Sequence, residues 1–355
     1  MGSKSTANNP LGLKGIDHLE FCCSDLNTPT SKLFEKFGFV RTKQNNSNDL
    51  ALYEQGQIKF ILNSKKETHA HQYLQKHNEG VSSMAFRVEN CDHAINTAIQ
   101  RGAQLIDDLQ IVETEFGKIK TASIQGFGDV KNIFIERPHE IIDPSLDDCD
   151  AETKTPLTTR MARIDHLTNN VPRGELEHWV NFYDQIYGFK VTRYFDIKGQ
   201  KTGLESKVVQ SEDNSIIIPI NEPAENDTKG QIQEFLDRHN GAGVQHIALT
   251  TPDIVSTVSD LRSRDISFLN VPDTYYEDIP QRDFVVTEEI EKLRQNKILV
   301  DGDPEGYLLQ IFTDTYVGPL FFEIIQRKNH WGFGEGNFQA LFDAIERDQM
   351  QRGIL

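Results

Sequence analysis

The sequence predicts an α+β protein of two tandem domains, and three observations carry that prediction. The chain repeats itself, each copy runs strand, helix, strands, helix, strands, and a polar segment separates the copies. Residues 15–39, GIDHLEFCCSDLNTPTSKLFEKFGF, answer residues 163–189, RIDHLTNNVPRGELEHWVNFYDQIYGF, sharing IDHL, a helical stretch and a closing GF. YLQKHNEGVSSMAF from Tyr73 answers FLDRHNGAGVQHIAL from Phe235, and NIFIER ending at Arg137 answers FFEIIQR ending at Arg327. A duplication constrains architecture more strongly than any local propensity. Length agrees, because 355 residues exceed the roughly 250 at which a single core stops growing.

The boundaries follow from composition. Residues 1–10 are polar and are expected to form a disordered tail, residues 11–141 the first domain and residues 160–355 the second. Residues 142–159 are Asp-rich, carry Pro144 and Pro156 and show no apolar period, so they are expected to be a linker.

In the second copy Ile164, His166 and Thr168 alternate with Arg163, Asp165 and Leu167, the period of a strand. Glu177 to Ile186 then places Trp179, Phe182, Tyr183 and Ile186 at helical spacing. The runs SIIIPI from Ser215, VQHIALTT from Val244, YLLQIFT from Tyr307 and FFEIIQ from Phe321 are rich in β-branched and aromatic residues and are expected as strands. Asp253 to Arg264 sets Ile254, Val258 and Leu261 on one face and is expected to cover the outside of the sheet. A last amphipathic helix, with Phe338, Leu341, Phe342 and Ile345 on one face, is expected to open at Asn337 as N-cap after a glycine-rich stretch.

Composition excludes several functions. A formal charge of −17 repels phosphate backbones, and no basic cluster interleaved with aromatics overrides it, so nucleic acid is not expected as a partner. No apolar run is long enough to cross a bilayer, and the polar start lacks the apolar core of a secretory signal. Cys22, Cys23, Cys91 and Cys149 show no metal-ligand spacing and are expected to be reduced thiols of a cytoplasmic protein.

Three polar residues of the second copy stand where an apolar strand should not place them. His166 shares a face with Ile164, His246 sits inside VQHIAL, and Glu323 sits inside LFFEIIQ. Burying an unpaired polar group costs a few kcal/mol or more, so such positions need a reason. Singly each has a bland one: a satisfied core histidine, or an edge or ion-paired glutamate. The first copy is the internal control, with His18 at the position of His166 but Ser83 for His246 and Ile133 for Glu323. Two imidazoles and one carboxylate are the triad that leaves three adjacent positions open on iron(II). Zinc accepts the same donors, but no His-Glu-x-x-His helix accompanies them here.

The stretches DHLTNNV from Asp165, PINEP from Pro219, GAGVQHIAL from Gly241, LLQIFT from Leu308, FFEIIQR from Phe321 and GFGEGNF from Gly332 resemble 4-hydroxyphenylpyruvate dioxygenases of the vicinal oxygen chelate superfamily. The resemblance covers nearly the whole chain. It implies paired βαβββ modules in each domain, each domain an open β-barrel with helices outside, and a first domain without metal. It implies one Fe2+ per chain on His166, His246 and Glu323, with Ser206, Asn221, Gln245 and Gln310 as catalytic polar positions. Gln231, Phe312, Phe321, Phe333, Asn337, Phe338 and Leu341 fall on the family's substrate-binding positions, the last helix acting as a lid. Without the resemblance the polar residues could form turns or point outward, and the phenylalanines could be core.

The reaction so implied takes 4-hydroxyphenylpyruvate and O2 to homogentisate and CO2 in tyrosine catabolism, the substrate's own 2-oxo acid serving as chelator, in a homo-oligomer, dimer or tetramer. The neighbouring activity is 4-hydroxymandelate synthase, against which Phe312 speaks, since the synthase pattern tends to an aliphatic residue there. Extradiol catechol dioxygenases would need a second-shell histidine with no clear candidate. A metal-free small-molecule binder of the same superfamily is the reading from a different class.

Overall fold

The duplication in the sequence is a duplication of sheets. The computed structural model describes residues 8–139, 141–149, 160–224, 230–277 and 279–355. The first domain contains β1 (Leu13–Cys22), α1 (Pro29–Lys36), β2 (Val40–Gln44), β3 (Leu50–Gln55), β4 (Ile58–Asn63), α2 (His69–His77), β5 (Gly80–Val88), α3 (Cys91–Gln100), β6 (Leu105–Thr114), β7 (Gly117–Gln125), β8 (Lys131–Glu136) and β9 (Asp147–Asp148). Its strands form one sheet in the order β6-β7-β8-β5-β1-β4-β3-β2-β9.

The second domain repeats this with β10 (Ile164–Asn170), α4 (Leu176–Phe182), β11 (Lys190–Lys198), β12 (Gly203–Gln210), β13 (Ile217–Pro223), α5 (Gln231–His239), β14 (Gly243–Thr250), α6 (Ile254–Ser263), α7 (Ile290–Asn296), β15 (Leu299–Asp303), β16 (Gly306–Phe312) and β17 (Phe321–Lys328), and adds α8 (Glu335–Gln351). The order here is β11-β12-β13-β10-β14-β17-β16-β15.

Each sheet is two βαβββ modules back to back. Within a module the first strand pairs parallel with the last, β1 with β4, β5 with β8, β10 with β13 and β14 with β17. Parallel neighbours need a crossover, which the helix supplies. The modules join through antiparallel pairs of first strands, β1–β5 and β10–β14. As expected, α6 lies on the sheet through Ile254, Val258 and Leu261, capped by Asp253, whose carboxylate accepts the Ser256 N–H. The central strands are buried on both faces, which is why β14 reads as a nearly continuous apolar run.

The domains share one core, in which Phe37 and Phe322 meet with ring centroids 4.8 Å apart. They also meet at duplicated positions: the rings of His77 at the end of α2 and His239 at the end of α5 stack at 4.6 Å. All four cysteines are free, and among the described residues no helix is long and apolar enough to cross a membrane.

The structure departs from expectation at four edges. Residues 1–7 lie outside the described residues, but Asn9 is ordered, exchanging side-chain hydrogen bonds with the Leu13 backbone at 2.9 and 2.8 Å, and Pro10 is buried. Part of the segment expected as linker is built into the first domain: Ile142 and Leu146 are buried against Leu50, Leu52 and Ile61, and β9 pairs with β2. The two apolar residues stand four apart among acids, too few to register as a period; residues 150–159 lie outside the described residues. The helix expected over 177–186 ends as α-helix at Phe182 and continues as a π-helical turn, Tyr183–Tyr187. The last helix opens at Glu335, so Asn337 is not its N-cap but a buried residue of its first turn.

Candidate metal centre

Strand register builds the site. His166 on β10 and Glu323 on β17 both lie opposite Ala248 of the intervening β14, and His246 lies two residues before Ala248 on that strand. Side chains two apart, or directly opposite, share a face, so all three point to the same side of the sheet. Ala248 between them is small and leaves the space open. The candidate ligand atoms lie within 4.8 Å of one another, with His166 Nε2 3.2 Å and His246 Nε2 3.5 Å from Glu323 Oε2. The imidazole planes stand at 80° to one another.

The charges here are strongly coupled. Burial alone would raise the Glu323 pKa and lower that of His166, but their mutual attraction wins, holding the carboxyl low and the imidazole high. His246, for which burial dominates, is shifted down and stays neutral.

Each ligand is fixed from behind. A register shift between Ile164 and His166 accompanies the bond of His166 Nδ1 to Asp165 Oδ1 at 3.0 Å. Arg327 in turn grips both Asp165 oxygens, at 2.9 and 2.7 Å. Despite its burial, the Arg327 and His166 charges hold the Asp165 carboxyl far below the usual range. His246 Nδ1 lies 3.0 Å from Gln245 Oε1, which places the proton on Nδ1 and leaves the Nε2 lone pair, 3.0 Å from the Thr168 hydroxyl, available to a metal. Gln310 Nε2 donates to Glu323 Oε1 at 2.8 Å, so one carboxylate oxygen is engaged and the other faces the histidines.

A metal fits this donor set. Atoms bound at right angles about 2.1 Å from one ion stand about 3 Å apart, close to the two histidine–Glu323 separations. Two imidazoles and a carboxylate suit iron(II) or zinc, and among the described residues no further His, Cys, Asp or Glu joins the group, which leaves coordination positions for exchangeable ligands.

A cavity of about 40 Å³ opens over His166 and His246, room for a few waters. Its wall includes the sequence-expected Ser206, Asn221, Gln231, Gln245, Phe312, Phe333, Phe338 and Leu341. Ser206 and Asn221 face one another across β12 and β13, and Ser206 Oγ and Asn221 Oδ1 are buried with no partner among the described residues. An unmet buried polar atom costs about 1–3 kcal/mol, so both are aimed at something the protein does not supply.

Phe321 stands beside this wall: it stacks on His246 at 4.8 Å and lines an outer cleft of about 1010 Å³ that shares Gln231 and Gln245 with the inner cavity. Gln310 and Asn337 stand behind Glu323 rather than in the cavity wall, joined by Asn337 Nδ2 to Gln310 Oε1 at 2.9 Å.

Sequence reasoning missed Thr168, Phe195, Leu204, Val208 and Pro219 in the wall, although period-two alternation sets Thr168 on the face of His166, and Leu204 and Val208 on the face of Ser206. It also passed over Asp165 and Arg327, for which a signal existed. The aspartate before the histidine and the arginine ending the last strand both recur in the first copy.

Comparison with known proteins adds a family. The family described as "Hydroxyphenylpyruvate dioxygenase, HPPD, N-terminal" matches residues 7–152, and the "Glyoxalase/Bleomycin resistance protein/Dioxygenase superfamily" matches residues 163–311. The chain is 40% identical over 359 residues to a 4-hydroxyphenylpyruvate dioxygenase of Pseudomonas aeruginosa, covering 99% of each. It is 42% identical to Protein MelA of Shewanella colwelliana, over 99% of this chain and 100% of that one. Among solved structures, a triple mutant of 4-hydroxymandelate synthase from Streptomyces coelicolor is similar with a TM-score of 0.84 at 26% identity, covering 95% of this chain and 99% of that one.

Proposed function

The chain belongs to the 4-hydroxyphenylpyruvate dioxygenase family, and from that membership we propose that the triad binds one iron(II) and that the cavity beside it takes 4-hydroxyphenylpyruvate and O2 to homogentisate and CO2. The enzyme is a dioxygenase of that family; the carrying observation for its chemistry is the buried His166, His246 and Glu323 set. Bound there, iron(II) supplies chelation of the 2-oxo acid and activation of oxygen.

The chain's own residues do the rest. Asp165 and Gln245 orient the two imidazoles, and Gln310 holds Glu323. Ser206 and Asn221, with unmet hydrogen-bonding capacity, together with Gln231 and Gln245, position the substrate's polar groups. Phe312, Phe333, Phe338 and Leu341 exclude water, and Phe321 backs His246. The cavity is narrow and is bounded by Phe338 and Leu341 of α8, so these side chains set the space left for substrate.

The second reading, 4-hydroxymandelate synthase, has the structural similarity in its favour. Phe312 in the cavity wall and the higher identity to named dioxygenases weigh against it. Identifying the product by mass and NMR after iron loading separates them: homogentisate supports the proposal and 4-hydroxymandelate replaces it. Absence of both stoichiometric metal and oxygen uptake would favour a metal-free binder. The free cysteines support a cytoplasmic setting. Exposed Leu105, Ile106, Ile111, Val112 and Phe116 on and beside β6 support self-association as a dimer or tetramer, which light scattering measures.

A further inference from the structure

A chain of hydrogen bonds runs from the half-exposed loop before α7 to the carboxylate of Glu323, and every donor in it points the same way. Gln310 Nε2 donates to Glu323 Oε1 at 2.8 Å, Asn337 Nδ2 donates to Gln310 Oε1 at 2.9 Å, and the Tyr275 hydroxyl donates to Asn337 Oδ1 at 2.8 Å. These residues come from β17, β16, α8 and a 3-10 turn, Asp273–Tyr276, so four separate elements converge on one carboxylate.

A side-chain amide has nearly the same shape in its two orientations, so something must decide which end of Gln310 faces Glu323. Asn337 decides it by donating to Oε1, and the Phe333 carbonyl, 3.3 Å from Nε2, agrees. The orientation of Asn337 is set in turn by Tyr275. That hydroxyl has one proton and two possible acceptors, Asn337 Oδ1 and the Val300 carbonyl at 2.7 Å. Arg282 resolves the choice. Its Nη1 donates to the Val300 carbonyl, and its guanidinium lies 4.8 Å from the centre of the Tyr275 ring. The Val300 carbonyl thus already holds a donor, whereas Asn337 Oδ1 has no other donor among the described residues, so the tyrosine proton serves Asn337, while the Val300 N–H at 2.8 Å occupies a lone pair of the Tyr275 oxygen. The packing is close as well: Gly334 has φ +69°, and a Cβ there would collide with Gln310 Oε1.

We propose that Tyr275 is a positioning residue of the metal centre. Acting through Asn337 and Gln310, it keeps Oε1 of Glu323 engaged so that only Oε2 is offered to the metal, and it makes the docking of α8 a condition of that geometry. A carboxylate free to use both oxygens would take a second coordination position, one that substrate or oxygen needs. The inference rests on the metal-centre reading above.

A merely structural role, in which Tyr275 only pins its loop to Val300, would cost stability and leave the metal site alone. Tyr275→Phe keeps the ring and removes the hydroxyl. The measurement is Co(II) titration of the metal-stripped full-length protein, followed by its visible ligand-field spectrum, with circular dichroism as the check on folding. The expected result is binding about tenfold weaker with a changed spectrum, the lower end of what losing an outer-shell partner costs. In an Asn337→Ala background the same substitution should add less than about twofold, because both act along one chain. Arg282→Gln, at a half-exposed position, should shift affinity in the same direction by about threefold, and it carries the test if Tyr275→Phe does not fold.

A folded Tyr275→Phe with the parent's affinity and spectrum, or full additivity with Asn337→Ala, overturns the inference and leaves the metal reading standing. A parent protein that itself binds no Co(II) at one per chain removes both.

Discussion

Ile133 occupies in the first domain the register position that Glu323 holds in the second. Ile133 lies opposite Ala85 in the β5–β8 pair as Glu323 lies opposite Ala248 in the β14–β17 pair. Ser83, opposite Glu20, likewise stands where His246 stands opposite Thr168. What persists in the first domain is the support: Asp17 holds His18 at 2.8 Å and is gripped by Arg137, as Asp165 holds His166 and is gripped by Arg327. The aspartate, histidine and arginine thus belong to the fold, tying the first strand of a domain to the end of the strand that closes its second module. The site is what His246 and Glu323 add.

His18→Ala is therefore expected to leave metal content and turnover unchanged while costing about 1–3 kcal/mol of stability, since it strips Asp17 of one buried partner. Metal analysis, steady-state rates and denaturant unfolding on one preparation measure all three. Metal loss from a folded His18→Ala protein would place the ion in the wrong domain.

Glu323→Gln preserves shape and removes charge, and His246→Ala removes a donor. Each should abolish turnover and weaken metal binding by well over tenfold with the fold intact, because a three-ligand site loses a large share of its affinity with any one ligand. Near-parental activity in either variant ends the triad assignment.

The duplicated ion pair permits a matched comparison. Asp17→Asn and Asp165→Asn each leave a largely buried arginine without its counter-charge and should each cost about 3–5 kcal/mol. Only Asp165→Asn should also lower metal affinity, through loss of the His166 orientation. Equal metal affinity in the two variants would make the Asp165 contact structural alone.

Much of this arrangement was legible because the duplication compares each position with itself. It identified His246 and Glu323 as additions before any geometry was known, and register placed them as the repeat implies. The cavity wall was less legible. Phe195 on β11 and Val208 on β12 lie on alternating strands, Val208 on the same face as Ser206, so alternation marks them as inward without saying which inward position reaches the metal site. Asn337 was misread because N-cap propensity favours asparagine wherever a helix begins, while here its amide is used by Gln310 and Tyr275. Ile142 and Leu146 were missed for the opposite reason, being two apolar residues in an acidic stretch.

The stacked histidines between the domains carry a pH dependence. His239 is packed by His77, Phe235 and Tyr73, with Asp129 beyond His77. Burial first, and the neighbouring His77 second, bring its pKa down to about 4. The unfolded chain takes up this proton near about 6.5, so between the two values the unfolded state binds more protons. The contribution is full above about pH 6.5, declines as pH falls toward about 4, and reaches at most about 3 kcal/mol. Denaturant unfolding at pH 7 and pH 4.5 should show this loss, and His239→Gln should reduce it. An unchanged pH slope in that variant would assign the loss to other groups.

The last prediction concerns α8, which supplies Phe338 and Leu341 to the cavity wall. Its hold on the domain is concentrated in Glu346, whose carboxylate accepts the backbone N–H groups of Gln200, Lys201 and Thr202 at 2.8, 3.0 and 2.8 Å and the Thr202 hydroxyl at 2.8 Å. Burial works against this carboxylate, yet those bonds hold its pKa below the ordinary range. Gly199 beside it leaves no room for a Cβ against Phe342 and the Glu346 carboxylate. A second latch joins Arg352 to Glu234 at 2.7 and 3.0 Å. Because Phe338 and Leu341 of this helix form part of the cavity wall, loosening the helix opens the cavity to water. Glu346→Ala loosens the helix without touching a metal ligand, whereas truncation before Gly334 also removes Asn337 and its bond to Gln310. Both proteins are expected to stay folded and to consume oxygen in excess of product, the truncated one more severely, because water reaches the reacting groups. The measured quantity is product formed per oxygen consumed, expected to fall at least about twofold in Glu346→Ala. If both variants keep the parent's ratio, α8 is a fixed wall, and Phe338 and Leu341 shape the cavity without closing it.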